Sequence, residues 1–501
     1  MMRSLFSGVA GLKTHQTKMD VIGNNIANVN TVGYKSASVT FQELMYQTTQ
    51  SASGANAETG RAGVNAKQIG LGVSTGAITN NVTTSGASQS TGNPFDIQIT
   101  GDSFFIVSDG SNNYFTRAGA FYVDGAGNLA MTSNGYTVMG WQEDESQPGT
   151  IKKDTVSKLQ IMSAENMTSE PEQTTKAYLS GIIDKNSTQL TSTDGLIVNI
   201  PVYDNLGYSY IIKASIKSTG TEGYFSITPT EILDSAGNKL VAGLDGDGND
   251  VSASLGGLST FKLGNTTISY STSTDATTGK TVGTYTTTGT TYLNYDTSTG
   301  EFKGITGAVG TAATDPDEPL SFNATSGPLA TAFVKTTDVV DGKGGNNVDI
   351  ALDTTTMYDN NKTSTIAGTA GDYDGNYAGR KVGTMSGVSI QTDGKIYASY
   401  NNGTTKLLGQ IAVASFANPS GLEKVGENLY SATLNSGTFD GIGQDVTADS
   451  GSMSTGVLEM SNVDLSSEFT EMITTQRGFQ ANSRIITVSD SMLEELTNLK
   501  R

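Results

Sequence analysis

Both ends of this chain repeat apolar residues every seven positions, and the long stretch between them does not. Near the start, Leu5, Leu12, Met19 and Ile26 keep that spacing, with Met2 and Val9 three residues before the first two. Near the end, Leu465, Met472, Phe479, Ile486 and Leu493 do the same, and Phe469 joins the seam. A seven-residue apolar repeat marks helices that pack along a stripe. Gln16 and Gly23 weaken the second seam of the first segment, and Gln476, Ser483 and Asp490 hold the companion positions of the last. The spacing predicts a closing helix from about Val463 to Asn498, with Ser461 and Asp464 as an S-x-x-D start. Residues 1–35 carry a net charge of +3 and residues 462–501 a net charge of −2. Each end is therefore the other's nearest partner. A pair with half its seam polar is weak, however, and helices draw most of their stability from packing. The stripes thus predict helices completed by other copies of the chain.

Between the ends the period falls to two. Asp96-Ile97-Gln98-Ile99, Phe104-Phe105-Ile106-Val107, Tyr114-Phe115-Thr116-Arg117 and Ala120-Phe121-Tyr122-Val123 are strand-sized, and Asp124-Gly125-Ala126-Gly127-Asn128 is a turn. Short strands joined by Gly, Asp and Asn turns read as a sandwich or barrel. Residues 388–434 look alike, residues 265–300 form a Thr-rich hairpin-like stretch, and residues 308–318 read as a loop or linker. Matching material thus brackets an insertion. The fold class expected is mainly β: several nested sandwich- or barrel-like domains with long helical, coiled-coil-like ends. Composition agrees, with 36% hydrophobic residues, 16% charged residues and 60 glycines, a mixture suited to turn-rich β-domains.

The same composition excludes several classes of function. Without cysteine there is no disulfide, thiolate nucleophile or cysteine metal site. His15 is the single histidine; it has no Ser, Cys or metal partner in register and reads as a surface or inter-subunit helix residue. A net charge of −19 argues against nucleic acid. No apolar run is long enough to span a membrane, and the first residues lack a continuous apolar core and a cleavage site, so no signal peptide is expected. Asp245-Gly246-Asp247-Gly248-Asn249-Asp250 resembles half of a calcium loop, but Asp250 and Gly256 stand where such a loop needs Gly and Glu. A turn is expected there. No metal, cofactor or catalytic residue is predicted.

Several blocks then resemble one family. Gly23-Asn24-Asn25-Ile26-Ala27-Asn28 with Thr31-Val32-Gly33-Tyr34-Lys35 is similar to the signature of bacterial flagellar rod and hook proteins. So are Ser4 to Leu12, Gly70-Leu71-Gly72-Val73, the Asp96 to Phe121 block, Leu408-Gly409-Gln410 with Phe416-Ala417-Asn418, and the run from Leu458-Glu459 through Gln480-Ala481-Asn482. The large middle, with Thr174 to Leu179 and Val202 to Gly207, resembles an enlarged hook protein more than a rod protein.

The resemblance implies a structural subunit, not an enzyme, that polymerises into the curved tube joining rod to filament. With the nested pattern it implies an inner-tube helical domain (1–30, 462–501), a linking segment (31–75, 435–461), an inner β-domain (76–150, 376–434) and an outer β-domain (151–224, 346–375); residues 225–345 match no part of the family's short hook proteins and are expected to form an added outermost domain. Leu5, Val9, Leu12, Met19, Ile26, Leu465, Phe469, Met472, Phe479, Ile486 and Leu493 are the expected polymer contacts. Asn24, Asn25, Asn28, Gly33, Tyr34 and Lys35 are the family signature, with the asparagines ending the helix and fixing the bend after it. The partners implied are the chain itself, the rod, hook cap and hook–filament junction proteins and the flagellar export apparatus, with no nucleic acid and no membrane span. The place implied is extracellular, in the flagellar hook and basal body. The rivals are a distal rod protein and, in another class, a β-rich surface adhesin.

Overall fold

The computed structural model describes residues 2–54, 60, 62–144, 146–147, 149–237, 260–274, 281–311, 320–324, 347–351, 355–359 and 361–499. The Asp245–Asp250 turn expected above lies outside them. The chain divides into two compact units, one of residues 1–167, 385–399 and 405–501, the other of residues 168–384 and 400–404.

The first unit opens with helix α1 (Met2–Ala27) and closes with helix α2 (Leu465–Asn498). Neither contains proline, and both carry apolar residues at helical spacing. At 1.5 Å per residue α2 is about 51 Å long. Its cap is Asp464, whose carboxylate accepts from Ser466 N at 2.9 Å; Ser461 lies outside the helix, which corrects the expected start. Glu468 in the first turn suits the positive end of the helix dipole. After α1 the chain turns on Asn28, whose amide donates to Asn24 O at 2.9 Å and Asn24 Oδ1 at 3.0 Å.

Four exposed strands follow. β1 (Ala37–Glu43) pairs antiparallel with β4 (Val73–Asn80), and β2 (Tyr46–Gln50) with β3 (Lys67–Gly70). Beyond them come β5 (Ser88–Ser90), β6 (Ile97–Thr100), β7 (Phe104–Ser108) and β8 (Asn113–Thr116). The sheets interleave early and late chain. Ser88–Ser90 pairs with Val457–Glu459, and Ile97–Thr100 with Ser452–Thr455. Trp141 lies opposite Gln410, Phe105 opposite Val413 and Phe115 opposite Tyr430. The core includes Phe104, Ile106, Phe115, Trp141, Phe416 and Tyr430. The indole N–H of Trp141 donates to Asp154 O and Ile442 O, both at 3.0 Å, so this buried polar group is satisfied.

In the second unit, Lys176–Asp184 pairs in parallel with Asn347–Ala351 and Thr355–Tyr358, and antiparallel with Ala367–Ala370. Another sheet runs Leu196–Tyr203, Ser209–Ser218, Tyr224–Leu233, Thr291–Tyr295, Phe302–Thr306. Burial alternates strictly along Leu196–Tyr203, as period two demands. The Thr-rich stretch forms the antiparallel pair Thr266–Thr274 and Thr281–Thr288.

The expected boundary at 224/225 falls inside the strand Tyr224–Leu233. Phe225, Ile227 and Leu293 share a core with Leu179 and Ile200, so no core separate from that of residues 168–224 appears among the described residues of 225–345. The breaks expected at 150/151 and 375/376 lie at 167/168 and 384/385 in the two-unit division. Thr-rich strands look alike on either side of such a boundary, and only long-range pairing decides which of them share a sheet.

Candidate functional site

The two chain ends meet along an antiparallel helix pair. A Cβ on Gly8 would stand 3.3 Å from Ile486, and one on Gly11 2.7 Å from the Asn482 amide. A Cβ on Gly478 would stand 2.7 Å from the His15 ring. Lys18 pairs with Glu471 at 3.0 Å and Asn25 with Glu468 at 2.9 Å. Along α1 the inward face is Gly8, Gly11, Thr14, Ile22 and Asn25, all buried. Their spacings of three and eight keep them on one helical face, built mostly from small and polar residues.

That seam is distinct from the stripes expected to contact other copies of the chain. Leu5, Leu12, Met19 and Ile26 are only half-buried, and Val9 is 47% exposed. On α2, Met472, Phe479, Ile486 and Leu493 are half-buried, while Leu465 and Phe469 are exposed. The inward companions on α2 are Thr475, Asn482 and Ser489 rather than Gln476, Ser483 and Asp490. Pattern reading weighs apolar bulk, whereas close helix approach needs its absence. His15, expected at the surface or between subunits, is half-buried on α1, its ring against Gly478 of α2 and edge-on to Phe41 at 5.5 Å. Burial, then Lys18, hold its imidazole below the usual value.

A second apolar line on α2 escaped the sequence reading. Ile485, Val488, Met492, Leu496 and Leu499 step by three and four and are all exposed, from 44% at Ile485 to 81% at Leu499. The spacing itself was the available signal.

At the root of the pair the signature residues converge. The Asn25 amide donates to Ala37 O at 2.9 Å, and its carbonyl accepts from Ala37 N at 3.0 Å and from the Tyr34 hydroxyl at 3.2 Å. Asn24 reaches the same hydroxyl at 3.3 Å. Burial, then Glu468, push the Tyr34 phenol up, and burial above all raises Glu468. Gly33 has φ +69°, and a Cβ there would meet Ala118 N at 2.7 Å. Its N–H donates to Glu459 O at 2.8 Å.

Lys35 is fully buried. Its ammonium donates to Glu459 Oε1 and to Thr84 O, both at 2.7 Å. The same carboxylate oxygen accepts from Gly86 N at 2.9 Å. Arg117, also buried, brings Nη1 to 3.8 Å from Glu459 Oε2 and donates to the carbonyls of Ile99 and Gly101. Burial lowers the Lys35 and Arg117 pKa values, with Glu459 pulling the other way in each. Asn462 accepts from Ser36 N at 2.8 Å and donates to Asn81 O and Thr84 O. Lys424 donates to Lys35 O at 2.9 Å and stands 4.7 Å from the Tyr34 ring centroid. The roles of Arg117 and Glu459 were not readable from sequence, because nothing local distinguishes a buried charge from a solvated one. With neither partner of the Lys35–Glu459 pair reaching solvent, the arrangement fastens chain segments and leaves no face for a substrate. Among the described residues there is no cluster of three or more side chains suited to a metal, and no helix long and apolar enough to cross a membrane.

Comparison with known proteins agrees with this layout. Residues 5–35 match the family model of flagella basal body rod proteins, residues 98–169 that of the flagellar hook protein FlgE/F/G D1 domain, and residues 454–499 that of the flagellar basal body rod FlgEFG protein C-terminal region. The flagellar hook protein FlgE of Borreliella burgdorferi is 34% identical over 100% of both chains. That of Treponema pallidum is 33% identical, again over 100% of both. A crystal structure of Helicobacter pylori flagellar hook protein FlgE2 is 14% identical with a TM-score of 0.30, covering 73% of this chain and 98% of that one. With identity above 30% across the whole length of two hook proteins, the chain belongs to the flagellar hook protein family.

Proposed function

We propose that this chain is the structural subunit of a flagellar hook, polymerising with copies of itself into the curved tube that passes torque from rod to filament. The observation that carries the reading is the uncovered apolar surface of the two terminal helices. Val9 on α1 and Phe469, Ile473, Val488, Met492 and Leu496 on α2 are each between 44% and 57% exposed. Full burial of one such side chain contributes about 1.5–3 kcal/mol. Half-burial of five of them is therefore on the order of 5 kcal/mol for each contact between copies. Leu5, Leu12, Met19 and Ile26, with Leu465, Met472, Phe479, Ile486 and Leu493, flank these positions and complete the contact. Head-to-tail contacts that do not close a ring generate an open helical tube.

The family is structural and not an enzyme family. The rod, a hook cap and the hook–filament junction proteins are the proposed axial neighbours, and the flagellar export apparatus the proposed route outward, without a cleaved signal. Full-length relatives named as hook proteins support the hook over a distal rod protein or an adhesin.

Electron microscopy of purified protein under polymerising conditions tests the reading. Curved tubes are expected from the native chain. Val488→Asp with Leu496→Asp should remove them while the circular dichroism of the β-domains stays unchanged, since both side chains are about half exposed in the single chain. Straight, stiff polymers would favour the rod protein. A chain that never polymerises would overturn the reading.

A further inference from the structure

The α1–α2 seam is poorly suited to choosing its own register. Gly8 and Gly11 on α1 and Thr475, Gly478, Asn482 and Ser489 on α2 offer little shape to lock. A slip by one heptad would set Gly8 against Phe479 or Leu493 and Gly11 against Thr475 or Ser489. At these two positions glycine would again face a larger side chain; along the helices the slip is resisted chiefly where the His15 ring lies on Gly478 and where Lys18 meets Glu471.

The root of the pair is different. Glu459 lies six residues before the start of α2, and Lys35 eight residues after the end of α1. Once these two meet, the origin of each helix is set. Three separate segments supply polar groups to the one carboxylate: Lys35, Gly86 N and Arg117. Glu459 and both cationic side chains are at most 1% exposed. Sliding the segment by one residue would bring Leu458 or Met460 to that place. Two buried cations would lose their counter-charge, and the side chains of Val457–Glu459 would swap faces. A slip resisted at only a few places along the helices is thus strongly opposed at their root. Buried ion pairs often add little net stability but can select one arrangement over its near neighbours.

We infer that Glu459 is the register key of this chain: its buried carboxylate, held by Lys35 and Arg117, sets the one alignment in which α1 and α2 leave the β-domain. Thr84 O and the Asn462 amide steady the same spot. The inference concerns a single chain and does not depend on the polymer.

The absence of cysteine makes the test clean. Gly8→Cys is combined with Ile486→Cys for the native register, or with Phe479→Cys or Leu493→Cys for a slip of one heptad either way. Mild oxidation of assembled tubes is followed by a non-reducing gel, on which closure within one chain stays monomer-sized and closure between copies does not. Should no tubes form, the same gel is read on soluble protein, so failure of the hook reading is seen separately. In the native background the Ile486 pair should close at least tenfold more than either slipped pair. Glu459→Gln, which keeps shape and loses charge, should bring the ratio close to one, while Glu459→Asp should keep most of it. Lys35→Met with Arg117→Met and Glu459→Met guards against a folding defect: the apolar trio should retain the β circular dichroism yet lose the preference. A tenfold preference that survives in Glu459→Gln or in the apolar trio would overturn the inference and assign register to the strands and helix packing.

Discussion

Lys35 and Glu459 are 424 positions apart in the chain, yet their charged atoms meet at 2.7 Å with both side chains excluded from water. The pair joins the first helix, the last helix and the β-domain of one unit at a single point. A buried pair of this kind is costly to break from one side, because the remaining charge has neither water nor partner.

Lys35→Met alone or Glu459→Gln alone should therefore destabilise the first unit by about 3–5 kcal/mol. Urea unfolding followed by near-ultraviolet signals of Trp141 reads this directly. The exposed pair Lys152–Asp154 at 3.1 Å is the control. Asp154→Asn should change stability by less than about 1 kcal/mol.

Gly33 and Gly92 both have positive φ, +69° and +75°, but only Gly33 has backbone against it. Gly92→Ala meets nothing within 4 Å and should cost about 1 kcal/mol of backbone strain. Gly33→Ala adds a collision with Ala118 N at 2.7 Å and should cost several-fold more. Equal thermal shifts for the two variants would show that the segment after α1 yields freely.

His15 should make the helix pair acid-sensitive. Its folded pKa is held below the ordinary imidazole value of 6.5, first by burial and then by Lys18. The unfolded chain therefore binds the proton first as pH falls. Stability is lost below pH 6.5 until the folded pKa is passed, and levels off beneath it. The other faces of the ring are Phe41 and Gly478, and Lys18 itself is paired with Glu471. Glu468, raised from 4.5 mainly by burial, works in the opposite sense as pH falls towards its own folded value. Comparing tube dissociation temperatures at pH 7.5 and at a pH somewhat below 6.5, for the native chain and for His15→Asn, isolates the histidine. The difference between the two pH values should shrink in the variant.

Removing residues 225–345 should unfold the second unit rather than yield a trimmed but working subunit. The cut would take Phe225, Ile227, Ile232, Leu293, Tyr295 and Ile305 out of one shared core. Loss of a single large core side chain costs about 2–5 kcal/mol, so the remaining strands would lack a stable core. Soluble expression with a cooperative melt would show instead that the insertion folds apart from its host.

The sequence by itself determined the class of fold, the helical ends and the family, because heptad spacing, period-two alternation and signature blocks are local and survive without coordinates. Leu465 to Leu493 identified α2 nearly to the residue, and Asn25 to Lys35 marked the place where the chain ends converge. Only the tertiary structure decided which face of α1 is inward. Gly8, Gly11 and Thr14 win over Leu5, Leu12 and Met19 because close backbone approach favours the residues that pattern reading discounts. It also decided that Tyr224–Leu233 belongs in one core with Leu196–Tyr203, and that Glu459 faces two buried cations. Those are pairings across long stretches of chain, set by which surfaces can be buried together, and no local spacing records them.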